Sequence, residues 1–222
     1  MSTSSDVSIC APYWASDGNY LDVFALVRSA RDHCPGAEIS LCDDGSKFGL
    51  IIPGVVMTRL PAKDHALNPC VPINAAVAAS TRPIIALTNP GCEIPIGALD
   101  RLLSRLTENG YVAAACSDGE RWLCHSTFKA SERLPPGSGF HFFAVLRRTL
   151  WDRAGGFDEA YRQGQAFDDA DFLWRLHRAG AQCQIADDVV VSHRRSTTAW
   201  PEGGWELNRA IYRERRRAEL ER

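Results

Sequence analysis

The chain has 222 residues, an apolar fraction of 45% and a formal net charge of −2. That length suits one α/β domain whose core needs neither disulfides nor a structural metal. The near-balanced charge excludes a global field that would recruit nucleic acid or an anionic membrane, and no window approaches the ~20 apolar residues of a bilayer span.

The first six residues are polar and acidic, with no basic or apolar targeting region, so a cytoplasmic location is expected. Residues 7–12 form a short apolar run that reads as a buried strand. Residues 20–33 place Leu21, Phe24, Ala25, Val27 and Ala30 at helical spacing, and Pro35-Gly36 stops that helix. Strands are expected at 38–42, running into Asp43-Asp44-Gly45-Ser46, and at 55–60. A short helix follows at 73–80, then a strand at 84–88 that ends in the turn signal Asn89-Pro90-Gly91. Residues 97–108 read as a helix ended by Asn109-Gly110, and 111–116 as a strand.

The second half is less regular. A Pro/Gly/Ser loop at 134–139 precedes a strand at 140–146 and a short helix at 149–154, broken by Gly155-Gly156. Residues 168–179 form a helix ended by Gly180, 182–186 and 189–192 two strands, and 205–220 a charged helix. With no linker between the halves, one domain is expected over 1–222. Strands alternating with helices imply a mostly parallel sheet covered on both faces, with ligands outside the carboxyl ends of its strands. That places the loops at 12–19, 43–48 and 89–93 at the site.

The eight cysteines are Cys10, Cys34, Cys42, Cys70, Cys92, Cys116, Cys124 and Cys183. They include no C-x-x-C pair and no zinc-like spacing, and they read as reduced thiols.

The most informative stretch is Phe167-Asp168-Asp169-Ala170-Asp171. Helix capping accounts for two of its acids, with Asp168 as N-cap and Asp171 reaching back three residues on. Asp169 is not needed for that. A carboxylate at the helix start, projecting beyond it, can accept a proton from an acceptor hydroxyl. Both readings stand on the local sequence.

Taken together, the motifs resemble family 2 glycosyltransferases over roughly residues 7–197. Gly155-Gly156-Phe157-Asp158-Glu159 is similar to the family's G-G-F-D-E turn, Phe167 to Asp171 to its F-E-D-x-D helix start, and Val191-Ser192-His193 to its V-x-H strand end. Arg175 and Gly180 match the basic residue and glycine between them. Residues 7–14 resemble the family's opening strand, 41–46 its V-D-D-G-S, and 68–74 its Asn-rich segment. The resemblance implies a GT-A fold and a nucleotide-diphospho-sugar donor carrying UDP, GDP or dTDP. It implies that Pro12, Tyr13 and Trp14 border the base, that Asp44 accepts from the base N–H, and that Asp43 supports the loop. Asp169 becomes the general base of an inverting transfer, Asp168 and Asp171 position the helix or acceptor, and His193 binds metal or diphosphate. Without the resemblance, Asp43-Asp44 reads as a turn, His193 as a polar strand end and Trp14 as packing.

One motif departs from the family. Where it carries D-x-D or N-P-D after the fourth strand, this chain reads Asn89-Pro90-Gly91-Cys92-Glu93. Asn89 offers one neutral oxygen and Gly91 none, whereas a hard cation wants several oxygens, preferably anionic. Three readings stay open. Glu93 and His193 can complete a Mn²⁺ or Mg²⁺ site. Arg194, Arg195 or Lys47 can offset the leaving charge without metal. Or the protein binds a nucleotide sugar as a scaffold and transfers nothing. A nucleotidyltransferase shares the architecture, but the loop at 13–19 has little basic character.

The basic residues of the last helix, Arg209, Arg213, Arg215, Arg216 and Arg217, alternate with acids and read as a solvated face, with a thin apolar stripe at Leu207, Ile211 and Ala218. The segment holding Trp200, Pro201, Gly203, Gly204 and Trp205 reads as a lid over the sugar or an anchor for that helix. His141 reads as a strand residue. The acceptor, whether glycan, lipid, protein or modified nucleic-acid base, is not named by any motif.

Overall fold

The computed structural model describes residues 2–15, 20–63, 68–131, 133–194 and 202–220. The expectations for Arg195, Trp200, Pro201 and the loop at 16–19 lie outside the described residues.

The elements in chain order are β1 (Val7–Tyr13), α1 (Leu21–His33), β2 (Glu38–Asp43), β3 (Val56–Arg59), α2 (Cys70–Ala79), β4 (Ile84–Thr88), β5 (Cys92–Glu93), α3 (Ala98–Leu103), β6 (Gly110–Ser117), β7 (Trp122–Cys124), β8 (Phe143–Arg147), α4 (Arg148–Ala154), α5 (Asp168–Arg178), β9 (Gln182–His193) and α6 (Gly204–Leu220). The strands join one sheet in the order β3-β2-β1-β4-β8-β6-β9-β5, with β7 hairpinned onto β6. β1, β2, β3 and β4 are parallel. β8 runs antiparallel to both β4 and β6, so β6 keeps the direction of β4, and β9 follows β6 in parallel. A parallel neighbour needs a crossover, usually a helix. The described residues of 125–142 form no helix, and β8 accordingly enters the sheet from the carboxyl edge and runs back.

The fully buried strands β1 and β4 and the nearly fully buried β6 read as continuous apolar runs because helices cover both faces. Local differences from the sequence expectation have local causes. α3 stops at Leu103, where Ser104 Oγ donates back to the Arg101 carbonyl and the Arg105 and Leu106 N–H groups close three-residue turns. The two strands expected after Gly180 are one, β9. Its acidic interruption is a bulge opposite Ala114 and Ala115, in which Asp187 accepts from the Ser126 N–H and hydroxyl and Asp188 pairs with Arg105. α2 begins at Cys70, with Pro72 in its first turn, where the missing N–H costs nothing.

Two asparagines tie the halves together. Asn74 accepts from the Phe157 N–H (2.9 Å) and donates to the Phe157 carbonyl (2.8 Å), fixing the Gly155-Gly156 turn. Asn68 reaches Asp168 at the start of α5. The seven buried cysteines and the half-buried Cys183 are free thiols, and burial pushes each of them up, Cys10 and Cys92 to about 12. They are inert packing groups.

Candidate active site

Chain order makes the first crevice. β1 is followed outward by β2 and β3, and the chain then returns to β4 on the other side of β1, so the strand order switches between β1 and β4. β4 pairs with β1 only along Val7 to Cys10, whereas β2 stays paired as far as Tyr13. Pro12 sits past the divergence, where its missing N–H faces no β4 acceptor. Tyr13, buried, and Trp14, half-buried, follow at the open end.

The loop after β2 is locked to this end. Asp43 Oδ1 accepts from the Ser46 N–H (2.8 Å) and its Oδ2 faces Arg59 Nε at 3.5 Å. Ser46 Oγ accepts from the Ala15 N–H (2.9 Å), and the Asp44 N–H donates to the Tyr13 carbonyl (2.7 Å). Gly45 is required: it sits at φ +80°, and a Cβ there would meet the Pro61 carbonyl oxygen at 2.2 Å. Asp43 thus holds the turn through Oδ1, its buried Oδ2 having no hydrogen-bond partner among the described residues, while Asp44 Oδ2 pairs with Lys63, whose ammonium also lies 5.8 Å from the centre of the Trp14 ring. Burial raises Asp44 above the usual carboxylate range, and Lys63 opposes that rise. Lys63 carries no motif and was invisible in the sequence.

At the same sheet edge α5 begins with its three acids, but not as a capping box. The N-cap is Phe167, in the left-handed region at φ +69° and without a side-chain cap, and Asp168 is the first helical residue. Ala166 before it is also left-handed at φ +58°. Among the described residues these two are the only non-glycines with positive φ, at a cost of about 1–2 kcal/mol each. The turn aims the three carboxylates apart. Asp168 is buried and accepts from Asn68 Nδ2 (2.8 Å). Asp171 points into the core onto Arg175 Nε (2.7 Å), and Arg175 also donates to the Ala154 and Gly156 carbonyls at the end of α4. Asp171 therefore holds the helix in place. Asp169 alone keeps an open side: its Oδ1 accepts from the Ala170 N–H (2.7 Å) and lies 3.4 Å from Arg133 Nη2, its Oδ2 accepts no hydrogen bond among the described residues, and its side chain is 24% exposed.

Burial, and then the neighbouring Asp169 charge, push Asp168 up to about 7. The folded chain binds that proton more tightly than the unfolded chain, so the group's contribution to stability is full below about pH 4 and is lost as pH rises through about 7. Asp168→Asn is expected to flatten the fall of Tm between about pH 5 and pH 8. Thermal unfolding across that range checks it, and an unchanged slope would remove Asp168 as its source.

The start of β8 joins this acidic corner to the end of β9. His141 is buried, edge-on to the Phe157 ring at 5.0 Å, and near enough to feel the Asp169 charge. Burial nevertheless drives it down to about 4, so it is neutral. Phe142 lies edge-on to the His193 ring at 5.2 Å.

Register separates the two residues expected to share a metal. β5 pairs Cys92 with His193 and Glu93 with Ser192. Paired residues share a face and successive residues alternate, so Glu93 stands on the face opposite His193. There it lines a separate cleft of about 630 Å³ with Arg28, Asp32 and His33. Gly91 does lie beside His193, since a Cβ on it would stand 3.3 Å from His193 Nε2, but it brings no oxygen. Burial lowers His193, leaving it a neutral donor like Asn89. No group of three His, Cys, Asp or Glu among the described residues could hold a metal ion. Asn89, Gly91 and His193 by themselves offer a divalent cation no anionic oxygen. Arg194 bonds the Gly91 carbonyl through its N–H (2.9 Å) and extends its guanidinium to Asp22 at the start of α1 (3.0 Å).

Of the thin apolar stripe of α6, Ile211 packs against the core and Leu207 is 45% exposed, whereas Asn208 and Tyr212 are fully buried. The spacing of Trp205, Asn208 and Tyr212 is helical and was the available signal. Trp205 packs on Phe167 at 5.2 Å, which makes it an anchor of the helix.

No family model and no curated protein sequence matches the chain. Solved structures do. S. aureus TarS superposes with a TM-score of 0.67 at 16% identity, covering 92% of this chain and 38% of TarS. The TarS fragment 1–349 gives 0.65 at 14%, covering 85% and 60%. The mannosyltransferase PcManGT from Pyrobaculum calidifontis, in complex with GDP-Man and Mn²⁺, gives 0.65 at 17%, covering 93% and 61%. The chain spans less than two thirds of each neighbour. The fold is the GT-A fold of glycosyltransferases, a mixed sheet flanked by helices. No helix among the described residues is long and apolar enough to cross a membrane.

Proposed function

We propose that the protein is a glycosyltransferase that moves a sugar from a nucleotide-diphospho-sugar to an acceptor hydroxyl, with inversion. The observation that carries the reading is the open Oδ2 of Asp169, a carboxylate held at the same sheet edge as the Tyr13-Trp14 and Asp43-Asp44 turns. In this reading the chain acts as one domain, with a donor side at 7–118, an acceptor side at 119–197 and a C-terminal segment at 198–222. Trp14 and Tyr13 border the base, and Asp44 accepts from it. Asp169 takes the proton of the acceptor hydroxyl as that oxygen attacks the anomeric carbon. The bond to the diphosphate breaks, and the nucleoside diphosphate leaves with the electron pair. The GDP-Man held by the mannosyltransferase neighbour supports a nucleotide-sugar donor, and the motif order supports a relationship to family 2.

PcManGT holds Mn²⁺, but the donor set here is neutral, and no step is assigned to a metal. In this reading Arg194 offsets the leaving charge, which requires its guanidinium to leave Asp22. The missing acids also favour a second reading, a scaffold that binds a nucleotide sugar without turnover; any transfer lost on changing Asp169 overturns it.

The test is thermal unfolding with UDP, GDP, dTDP and their sugars, each with Mn²⁺ and with chelator. A ligand at a hundred times its Kd adds about 2.7 kcal/mol, or about 5–10 °C at this size. One nucleotide family is expected to give that shift, equally with Mn²⁺ and with chelator. A shift that needs Mn²⁺ overturns the cation-free site, and no shift with any nucleotide overturns the donor assignment.

A further inference from the structure

The two left-handed residues before Asp168 are held from outside their own element. Asn208 of α6 donates from Nδ2 to the Ala166 carbonyl (2.8 Å) and the Tyr161 carbonyl (2.9 Å), and the Gly204 carbonyl at the start of α6 accepts from the Gln165 N–H (2.8 Å). Gly164 permits the approach, because a Cβ there would meet Asn208 Oδ1 at 2.2 Å and the Gly204 carbonyl oxygen at 2.5 Å. Above the turn, the Phe167 ring is packed by Trp205 at 5.2 Å and Tyr212 at 5.4 Å. The Arg133 guanidinium that pairs with Asp169 also lies 4.7 Å from the centre of the Phe167 ring. The segment is gripped through its carbonyls, its N–H and its aromatic ring, and Asp169 follows two residues later.

We infer that Asn208 is a positioning residue for transfer: α6 clamps the Ala166-Phe167 turn in its left-handed form, and that form sets the direction of Asp169. The inference rests on the glycosyltransferase reading. Buried amide donors on an otherwise charged helix are expensive unless bonded, and both bonds go to the segment that carries the turn. Asn68 Nδ2 also reaches the Ala166 carbonyl, at the longer distance of 3.3 Å; without Asn208 the turn loses its shorter bond, the one to α6, and a partial relaxation of Ala166 and Phe167 toward negative φ rotates the start of α5. A displacement near 1 Å at a reacting group is enough to cost about a hundredfold in rate. The nucleotide side is held by hydrogen bonds among Asp43, Ser46, Ala15, Asp44 and Tyr13, none of which lies on α6, and keeps its geometry.

The experiment measures kcat, donor KM and nucleotide affinity for wild type, Asn208→Ala, and Asn208→Ala combined with Ala166→Gly. N208A is expected to lower kcat about ten- to hundredfold, with donor KM and nucleotide affinity within about twofold of wild type. Glycine takes positive φ without a Cβ penalty, so A166G is expected to restore part of the lost kcat when both variants are assayed well below their Tm, where stability does not limit the rate. An N208A enzyme with wild-type kcat overturns the inference, as does a loss of nucleotide affinity in step with kcat, or a loss that A166G leaves uncorrected. If N208A does not fold, Trp205→Ala at the partly exposed end of the clamp gives the same split in smaller measure, and wild-type kcat in that variant overturns it. Wild-type protein that transfers no sugar defeats the glycosyltransferase reading and this inference with it. An active wild type with an active N208A defeats this inference alone.

Discussion

Asp169→Asn is expected to abolish transfer almost completely while nucleotide binding survives. The amide keeps the volume of the carboxylate and can still accept from the Ala170 N–H through its oxygen, so the helix start keeps its shape. What it loses is the ability to take a proton at the open oxygen. General base catalysis contributes about 10²–10⁴-fold, and kcat should fall by that factor. The donor turns at Asp43-Asp44 and Tyr13-Trp14 form no hydrogen bond to Asp169 among the described residues, so the thermal shift given by the nucleotide should stay within the scatter of wild type. Steady-state rates and nucleotide titrations on the same preparation separate the two. Full activity in D169N would remove Asp169 as the base. Loss of nucleotide binding along with activity would place it on the donor side instead.

Arg175→Met is expected to destabilise the fold severely, by about 3–5 kcal/mol. Asp171 is buried and Arg175 mostly so, and their 2.7 Å ion pair spans one turn of α5. Methionine fills much of the space but leaves the Asp171 carboxylate unpaired in the core, and it also strips the Ala154 and Gly156 carbonyls of their donor. A buried charge without its partner costs far more than the pair contributes over an apolar replacement. The double change to apolar residues at 171 and 175 is therefore expected to recover much of the loss. Urea unfolding of the single and double variants checks both statements. A single variant within about 1 kcal/mol of wild type would mean that Asp171 is protonated or solvated there. The same ion pair explains why three acids in four residues do not all belong to the chemistry: one serves the core, one is buried against Asn68, and one faces out.

Several features of the site were legible in advance because they are set by local backbone chemistry. Asp43-Asp44-Gly45-Ser46 declares its own turn, since only glycine fits beside Pro61 and Asp43 bonds within the motif. The apolar run of β4 and the stop at Asn89-Pro90 likewise fix where the strand ends. The same holds for the acidic start of α5, although its cap was misplaced by one residue. A left-handed phenylalanine is not a choice the local sequence would make, and the carbonyl before it is bonded by two distant asparagines, Asn208 and Asn68.

Sequence by itself determined the alternation of strands and helices, the donor-side turns and the grouping of acids before Phe172. These follow from side-chain periodicity and from residues bonding to near neighbours. Tertiary structure alone decided the rest. The register of β5 on β9 turned Glu93 away from His193, a one-residue matter that no local pattern encodes. A contact across a hundred residues sets Asn68 on Asp168, and the packing of α6 buries Asn208 and Tyr212 while leaving Leu207 exposed. Which carboxylate stays open was fixed in the same way, because burial and partners, not residue type, decide what an aspartate can do.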